Sequence, residues 1–267
     1  MTAPTRKENL VNQAERRRFL IEALIAERPE LRGATVPATG AEQRQLLRAL
    51  FNTRQPGLPN NEILRIQDEY LQARIAEGGI TKLEELTPVE AHLYLWQGDI
   101  TTLACDAIVN AANSGMTGCW AANHICIDNC IHTFAGVQLR WECAQLIKRQ
   151  GHEEPAGQAK ITSAYNLPAK HVVHTVGPIA NGRVTPRDAE LLASSYRSCY
   201  ELAKESGLRS IAFCCISTGV FGFPQEAAAK IAVATVRELQ AADPDPLDVV
   251  FNVFLDSDLE IYERLLG

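Results

Sequence analysis

The chain has 267 residues, of which 46% are hydrophobic and 22% charged, so it can bury a substantial core and is not compositionally disordered. Its formal net charge of -6 gives no broad positive field, which makes nucleic acid a poor partner. No run of about 18 uninterrupted apolar residues predicts a membrane span or a secretory leader. The eight cysteines do not form a disulfide framework, so a reducing cytoplasm is expected.

Residues 1–90 are predicted to form a mostly helical extension. Apolar side chains recur at helical spacing within 15–28 and again within 46–51. A third helix is expected to start near Asn61 as its N-cap and to stop at the glycine pair 78–79. Glycine, threonine and proline residues between these segments indicate loops.

After the extension, β-rich runs alternate with helical patterns. The predicted strands span 92–96, 106–111, 159–165, 171–176, 210–216 and 249–255, and the predicted helices span 127–149, 188–206, 224–241 and 258–266. Such alternation predicts a mixed, largely parallel sheet with helices on both faces. Ligands of these folds bind beyond the carboxyl ends of the strands.

Three metal-ligand residues lie close together in segment 118–126, between a predicted strand and a predicted helix. Cys119, His124 and Cys126 offer two thiolates and an imidazole, a donor set that suits Zn²⁺. Their spacing differs from the paired C-x-x-C of structural zinc sites, so three close ligands with an open fourth position indicate a catalytic ion. The alternative is two ordinary buried cysteines beside a hydrogen-bonded histidine.

A fourth ligand is offered by His132, which shares a helix face with Asp128 four residues before it. Its alternative role is to anchor the helix through a hydrogen bond. Five other cysteines fall in apolar patterns and are expected in the core: Cys130, Cys143, Cys199, Cys214 and Cys215.

Two loops are candidates for ligand binding. Segment 216–224 joins a strand end, two glycines and a proline that opens a helix, and such small residues before a helix N-terminus predict a diphosphate cradle. Phe221 adds an aromatic surface for a sugar or base, whereas the alternative is a tight turn without a ligand. After the first core strand, Asp99 can accept from an exocyclic amine such as that of adenine, or cap a turn.

Several segments together resemble the macrodomain family of ADP-ribose binders. They read GDIT at 98–101, DAIVNAAN at 106–113, GQAKIT at 157–162, YNLPAK at 165–170, HTVGP at 174–178 and STGVFG at 217–222. The resemblance implies a three-layer α/β/α macrodomain with a mixed central sheet over residues 91–267, preceded by the helical extension 1–90.

One departure from the family pattern is informative. Where hydrolytic members carry a glycine run after the residue matching Asn113, this chain has the Cys119 to Cys126 segment. It is similar in this respect to the zinc-dependent branch of the family, whose members also carry a helical extension. That resemblance implies one Zn²⁺ per chain, held by Cys119, His124 and Cys126, and a structural role for His132.

Position by position, the resemblance implies the contacts of ADP-ribose. Asp99 would meet the adenine amine with Ile100 beside it, and Asn113 would meet the distal ribose, with Ile127 at the start of the next helix. Phe254 and Asp256 would border adenine. The diphosphate and the ribose beyond it would be wrapped by Ser217, Thr218, Gly219, Val220, Phe221 and Gly222.

The expected reaction is hydrolysis of mono-ADP-ribose from a modified protein, releasing free ADP-ribose. Asp128 is the candidate base or ribose-orienting group, with Asn113 as the second catalytic candidate. Zinc would act as a Lewis acid on a substrate oxygen or on water, and the sequence leaves that choice open. An acidic attachment site is favoured because an ester has the better leaving group. The alternatives are a reader module without turnover and a deacylase of O-acetyl-ADP-ribose.

Overall fold

Within residues 12–267, the part that this computed structural model describes, the chain forms eight α-helices and nine β-strands. The first eleven residues of the predicted extension lie outside the described residues. The helices are α1 (Gln13–Ala26), α2 (Gly40–Asn52), α3 (Asn61–Gly78), α4 (Ile127–Ala135), α5 (Val137–Gln150), α6 (Pro186–Glu205), α7 (Gln225–Ala242) and α8 (Asp256–Leu266). The strands are β1 (Thr81–Lys82), β2 (Pro88–Glu90), β3 (Leu93–Gln97), β4 (Leu103–Ala104), β5 (Ala107–Ala111), β6 (Ala159–Ser163), β7 (His171–Thr175), β8 (Ser210–Phe213) and β9 (Asp248–Val253).

Seven strands form the main sheet in the order β2-β3-β9-β8-β5-β7-β6. The inner pairs are parallel, whereas β2 and β6 run antiparallel at the two edges. The central strands β5 and β8 are buried almost throughout, as expected for parallel strands covered on both faces. The prediction of a mixed, largely parallel sheet is confirmed, and each of the six predicted strands is found.

Helices cover the sheet on both faces. On one face, α4 and α5 pack on each other and against β5 and β6, while α6, α7 and α8 pack as neighbours, with α6 against β6, β7 and β8 and α8 against β3 and β9. The three-layer prediction is therefore confirmed. Among residues 12–267, none of the helices has both the length and the apolar character that crossing a membrane requires.

The single helix predicted over 127–149 is wrong, because the structure has two helices there. Gly136 separates α4 from α5 with a φ of 100°, a left-handed conformation that interrupts helical hydrogen bonding. A Cβ at this position would lie 2.7 Å from the Gln67 side chain and 3.0 Å from the Asn166 side chain. The break lets both amides reach the chain between the two helices.

The helical extension, α1 to α3, has its own apolar cluster, which Val137 of α5 completes. Asn60 caps α3 by accepting from the Ile63 N–H, so the predicted cap at Asn61 is one residue late. The helical part ends at Gly78, and β1 and β2 then pair with strands of the main fold. The extension is thereby joined to the sheet by packing as well as by the chain.

The expected core cysteines divide into two groups. Cys143, Cys199 and Cys214 are buried as predicted, whereas Cys130 and Cys215 are only partly buried. Cys130 lies within α4 and Cys215 lies two residues after the end of β8, and at both positions the local apolar pattern overstates burial.

Candidate active site

The predicted ligand-binding segments follow the carboxyl ends of parallel strands. Segment 98–101 follows β3, segment 112–126 follows β5, segment 214–224 follows β8, and residues 254–256 follow β9. Because these strands run parallel, their carboxyl ends lie at the same edge of the sheet. The structure therefore brings the candidate segments together at the edge where such folds bind ligands.

The three predicted metal donors converge in the loop between β5 and α4. One ligand atom from each of Cys119, His124 and Cys126 lies within 4.8 Å of the other two, and Cys119 Sγ is 3.6 Å from His124 Nδ1. All three residues are partly buried. Burial raises the pKa of the Cys126 thiol to about 12, so a cation is needed to hold this thiol as a thiolate. Two sulfurs and an imidazole at this spacing fit a zinc ion with an open position.

Asp128 lies in the first turn of α4, two residues after Cys126. Its side chain is almost fully buried, and its two oxygens accept from Asn110 Nδ2 at 2.8 Å and Asn113 Nδ2 at 3.2 Å. Burial raises the pKa of this carboxyl to about 6. A carboxylate with such a pKa, beside the metal donors, can take up and release a proton near neutral pH.

The side chain of Asn113 is used within the loop that carries it. Its Oδ1 accepts from the Gly115 N–H at 3.0 Å, and its Nδ2 donates to the Gly118 carbonyl at 3.1 Å as well as to Asp128. Asn113 thus braces the turn that leads to Cys119 and orients the carboxylate. Its predicted contact with the distal ribose stays a prediction.

His132 belongs to a different cluster from the loop donors. One ring nitrogen of His132, the Cys143 sulfur and one ring nitrogen of His174 lie within 4.8 Å of one another, and all three residues are buried. His132 Nε2 is also 3.6 Å from Asp128 Oδ1. Within the described residues neither ring nitrogen of His132 has a hydrogen-bond partner, and burial lowers its pKa well below the ordinary value. The imidazole is therefore neutral and packs under the Gly118 backbone.

Two buried polar residues behind Asp128 were not predicted as part of the site. Asn110 donates to Asp128, which fixes the orientation of its amide, and the same Nδ2 lies 3.1 Å from His174 Nδ1. His174 Nδ1 must then accept, so its Nε2 carries the proton and faces Thr162 Oγ1 at 3.0 Å. Polar residues inside the buried strand runs AIVNA and HVVHT are the signal that could have indicated them.

The segment 216–224 has the features of an anion-binding loop. Ser217 has a φ of 67°, and its buried hydroxyl has no hydrogen-bond partner within the described residues. Such backbone strain with an unpaired polar group is characteristic of functional loops. In the part of the chain that the structure describes, no group accepts from the N–H of Gly219, Val220 or Phe221, so these amides are free for a phosphate.

This loop is supported from the neighbouring segment after β7. The Phe221 carbonyl accepts from the N–H groups of Ala180 and Asn181, and the Gly222 carbonyl accepts from Gly182. The Val220 side chain is 79% exposed. The carbonyl side of the loop is held by protein, and its amide side is left open.

The predicted adenine contacts lie at the ends of β3 and β9. Asp99 Oδ1 accepts from the N–H and the hydroxyl of Thr101, which is the capping role given as its alternative. Ile100 is buried, so its predicted place beside adenine stays a prediction. Phe254 is 71% exposed, and Asp256 accepts from Gln97 Nε2 at 2.8 Å.

Known proteins are similar to this chain in sequence and architecture. Residues 109–232 match the family model described as Macro domain. A protein-ADP-ribose hydrolase from Treponema medium is 57% identical over 261 residues, which covers 96% of this chain and 100% of the relative. The chain belongs to the macrodomain family.

Solved macrodomain structures extend the comparison. The Trypanosoma brucei macrodomain in complex with ADP-ribose is 30% identical with a TM-score of 0.64, covering 86% of this chain and 97% of that one. A mutant of the Oceanobacillus iheyensis macrodomain with ADPR is 39% identical with a TM-score of 0.60, covering 65% of this chain and 91% of that one. The macrodomain resemblance predicted from the sequence is confirmed, and membership of the zinc-dependent branch stays a prediction.

Proposed function

We propose that this protein is a zinc-dependent hydrolase that removes mono-ADP-ribose from protein side chains, preferably acidic ones, and releases ADP-ribose. The observation that carries the proposal is the convergence of Cys119, His124 and Cys126 directly before the helix that bears Asp128. A reader module would gain little from an incompletely coordinated Lewis acid. The name of the Treponema medium relative supports turnover.

ADP-ribose would be held by loops whose polar groups are open. The free amides of Gly219, Val220 and Phe221 would bind the diphosphate, and the unpaired Ser217 hydroxyl would add a further donor or acceptor. The exposed ring of Phe254 would border adenine. This arrangement would direct the distal ribose toward the end of β5, where Asp128 lies.

In the proposed reaction, water attacks the anomeric carbon of the distal ribose, the bond from that carbon to the acceptor oxygen breaks, and the carboxylate of the protein side chain leaves. Asp128, held by Asn110 and Asn113, would accept the proton of the attacking water or orient the ribose. Zn²⁺ bound to Cys119, His124 and Cys126 would supply Lewis-acid chemistry at this position. The eight unpaired cysteines support a reducing, cytoplasmic setting for such a site.

The test is release of labelled ADP-ribose from a mono-ADP-ribosylated protein, with and without a metal chelator. We expect zinc in the purified protein, loss of release on chelation and recovery on adding zinc. Cys126→Ala should abolish release while ADP-ribose binding, measured by calorimetry, persists. Cys105→Ala is the matched control because Cys105 is a thiol outside the donor group, at the opposite end of β5 from the donor loop.

Three results would contradict the proposal. Full turnover by metal-free Cys126→Ala would exclude a catalytic zinc. Binding of ADP-ribose without any release would indicate a reader module, and faster turnover of O-acetyl-ADP-ribose than of the modified protein would indicate a deacylase.

A further inference from the structure

Helix α2 of the extension directly contacts residues 118–126, called here the metal loop. Arg48 Nη2 donates to the His124 carbonyl at 2.9 Å, to Asn129 Oδ1 at 3.0 Å and lies 3.3 Å from Cys130 Sγ. One guanidinium therefore joins α2, the backbone of a metal donor and the first turns of α4. These contacts span more than 70 residues of sequence.

Asn52, the last residue of α2, makes a second connection. Its side chain is buried, with Oδ1 accepting from the Asn123 N–H at 3.0 Å and Nδ2 donating to Thr133 Oγ1 at 2.8 Å. Asn123 has a φ of 58°, a strained conformation that needs support from its surroundings. The Asn52 side chain therefore supports the residue directly before the donor His124.

The end of α2 is also tied to the start of the loop. Arg140 of α5 donates to the Asn52 carbonyl at 2.5 Å and the Arg54 carbonyl at 3.0 Å, and its other nitrogen lies 3.4 Å from the Cys119 carbonyl. Its guanidinium also covers the Trp120 ring at 4.3 Å. A cation at a helix C-terminus is favourable, so both ends of the donor segment are fastened to α2.

Besides its contacts with α2 and Arg140, the loop is held by the Asn129 amide, which donates to the Ala121 carbonyl at 3.0 Å, and by a few short-range bonds. It has no helix or strand between Cys119 and Cys126, and Ala121, Ala122 and Ile125 are exposed. Fixing an irregular backbone costs conformational entropy, and that cost weakens binding of any ion that the loop must be ordered to hold. Contacts that order the loop beforehand therefore increase metal affinity.

We infer that α2 is a working part of the metal centre, with Arg48 and Asn52 as positioning residues that hold the loop so that its three donors converge. This inference rests on the proposed zinc site. By linkage, an element that strengthens zinc binding is itself stabilised on the protein when zinc binds. Docking of the helical extension and metal binding are then one coupled equilibrium.

Zinc affinity of the full chain tests the inference without measuring turnover. The dissociation constant is obtained by competition with a chromophoric chelator for wild type, Arg48→Met and Asn52→Leu. Each substitution should weaken zinc binding about tenfold to hundredfold, and Arg48→Lys should recover part of the loss. Arg44→Met and Gln45→Leu are matched controls on exposed positions of the same helix and should leave the constant unchanged.

Hydrogen exchange on the unmodified chain gives a second readout that does not depend on whether a variant folds. Zinc should slow exchange of the α2 amides as well as those of the loop. Wild-type affinity in folded Arg48→Met and Asn52→Leu, or zinc protection confined to the loop, would overturn the inference alone. A wild-type chain that binds no zinc would refute the proposed metal centre and this inference with it.

Discussion

Replacing Gly118 by alanine tests how closely the metal loop is packed on its support. Gly118 has a φ of 81°, and a Cβ there would lie 2.8 Å from His132 Cγ and 2.9 Å from Cδ2. The left-handed backbone costs a non-glycine residue about 1–2 kcal/mol, and inserting a methyl group into a packed site costs about 1–3 kcal/mol. Gly118→Ala should therefore lower the free energy of unfolding by about 2–5 kcal/mol.

Urea unfolding of chelator-treated protein measures this loss, and Gly151→Ala separates its two parts. Gly151 has a φ of 80° but open space around its Cβ position, so its substitution should cost only the backbone part. His132→Ala should remove the steric part, so the double variant with Gly118→Ala should lose less than the sum of the single variants. Equal losses in Gly118→Ala and Gly151→Ala, with additive behaviour of the double variant, would refute the packing argument.

Unfolding at low pH, addition of zinc and substitution of Asp128 test other parts of the site. Burial lowers the pKa of His174 to about 3 against about 6.5 in the unfolded chain. The folded state therefore favours the neutral imidazole, and the stability that this form provides is complete above about pH 6.5 and is lost as the pH falls toward 3. Urea titrations of metal-free protein should show about 2.5 kcal/mol of this loss between about pH 7 and pH 4.5, and an unchanged pH profile in His174→Gln would contradict it. Zinc at about 100 times its dissociation constant should raise the free energy of unfolding by about 2.7 kcal/mol in wild type and by much less in Cys126→Ser, as read by thermal denaturation; equal shifts would exclude Cys126 as a ligand. Asp128→Asn should lower release of ADP-ribose about a hundredfold or more with ADP-ribose affinity retained in calorimetry, and near-normal turnover would remove Asp128 from the mechanism.

The sheet could be predicted because its signals are local. Short apolar runs such as IVNA at 108–111 and SIAF at 210–213 lie between helical patterns, and that alternation determines a parallel sheet with two covered faces. The break at Gly136 was missed because the apolar periodicity continues through it. What decides that break is a long-range contact, since the Gln67 and Asn166 side chains occupy the space that a Cβ at position 136 would need.

The donors of the candidate site could also be predicted, because Cys119, His124 and Cys126 are close in sequence and chemically distinctive. The residues that hold them in place could not. Arg48 and Asn52 are ordinary polar residues of an amphipathic helix, and nothing in the local pattern distinguishes them from exposed neighbours such as Arg44. Their roles depend on tertiary packing of α2 against α4.

The metal donors and the candidate base are fixed by the same short piece of backbone. Cys126 is the N-cap residue of α4 and Asp128 lies in the first turn of that helix, so moving one moves the other. The free amides at 219–221 belong instead to the loop before α7 and are supported from residues 180–182. A perturbation of the Cys119 to Cys126 loop should therefore displace the candidate donors and the carboxylate together while the 219–221 loop keeps its shape. Variants of this loop should accordingly lose turnover far more than ADP-ribose affinity, whereas a bulky side chain at Gly219 should do the reverse.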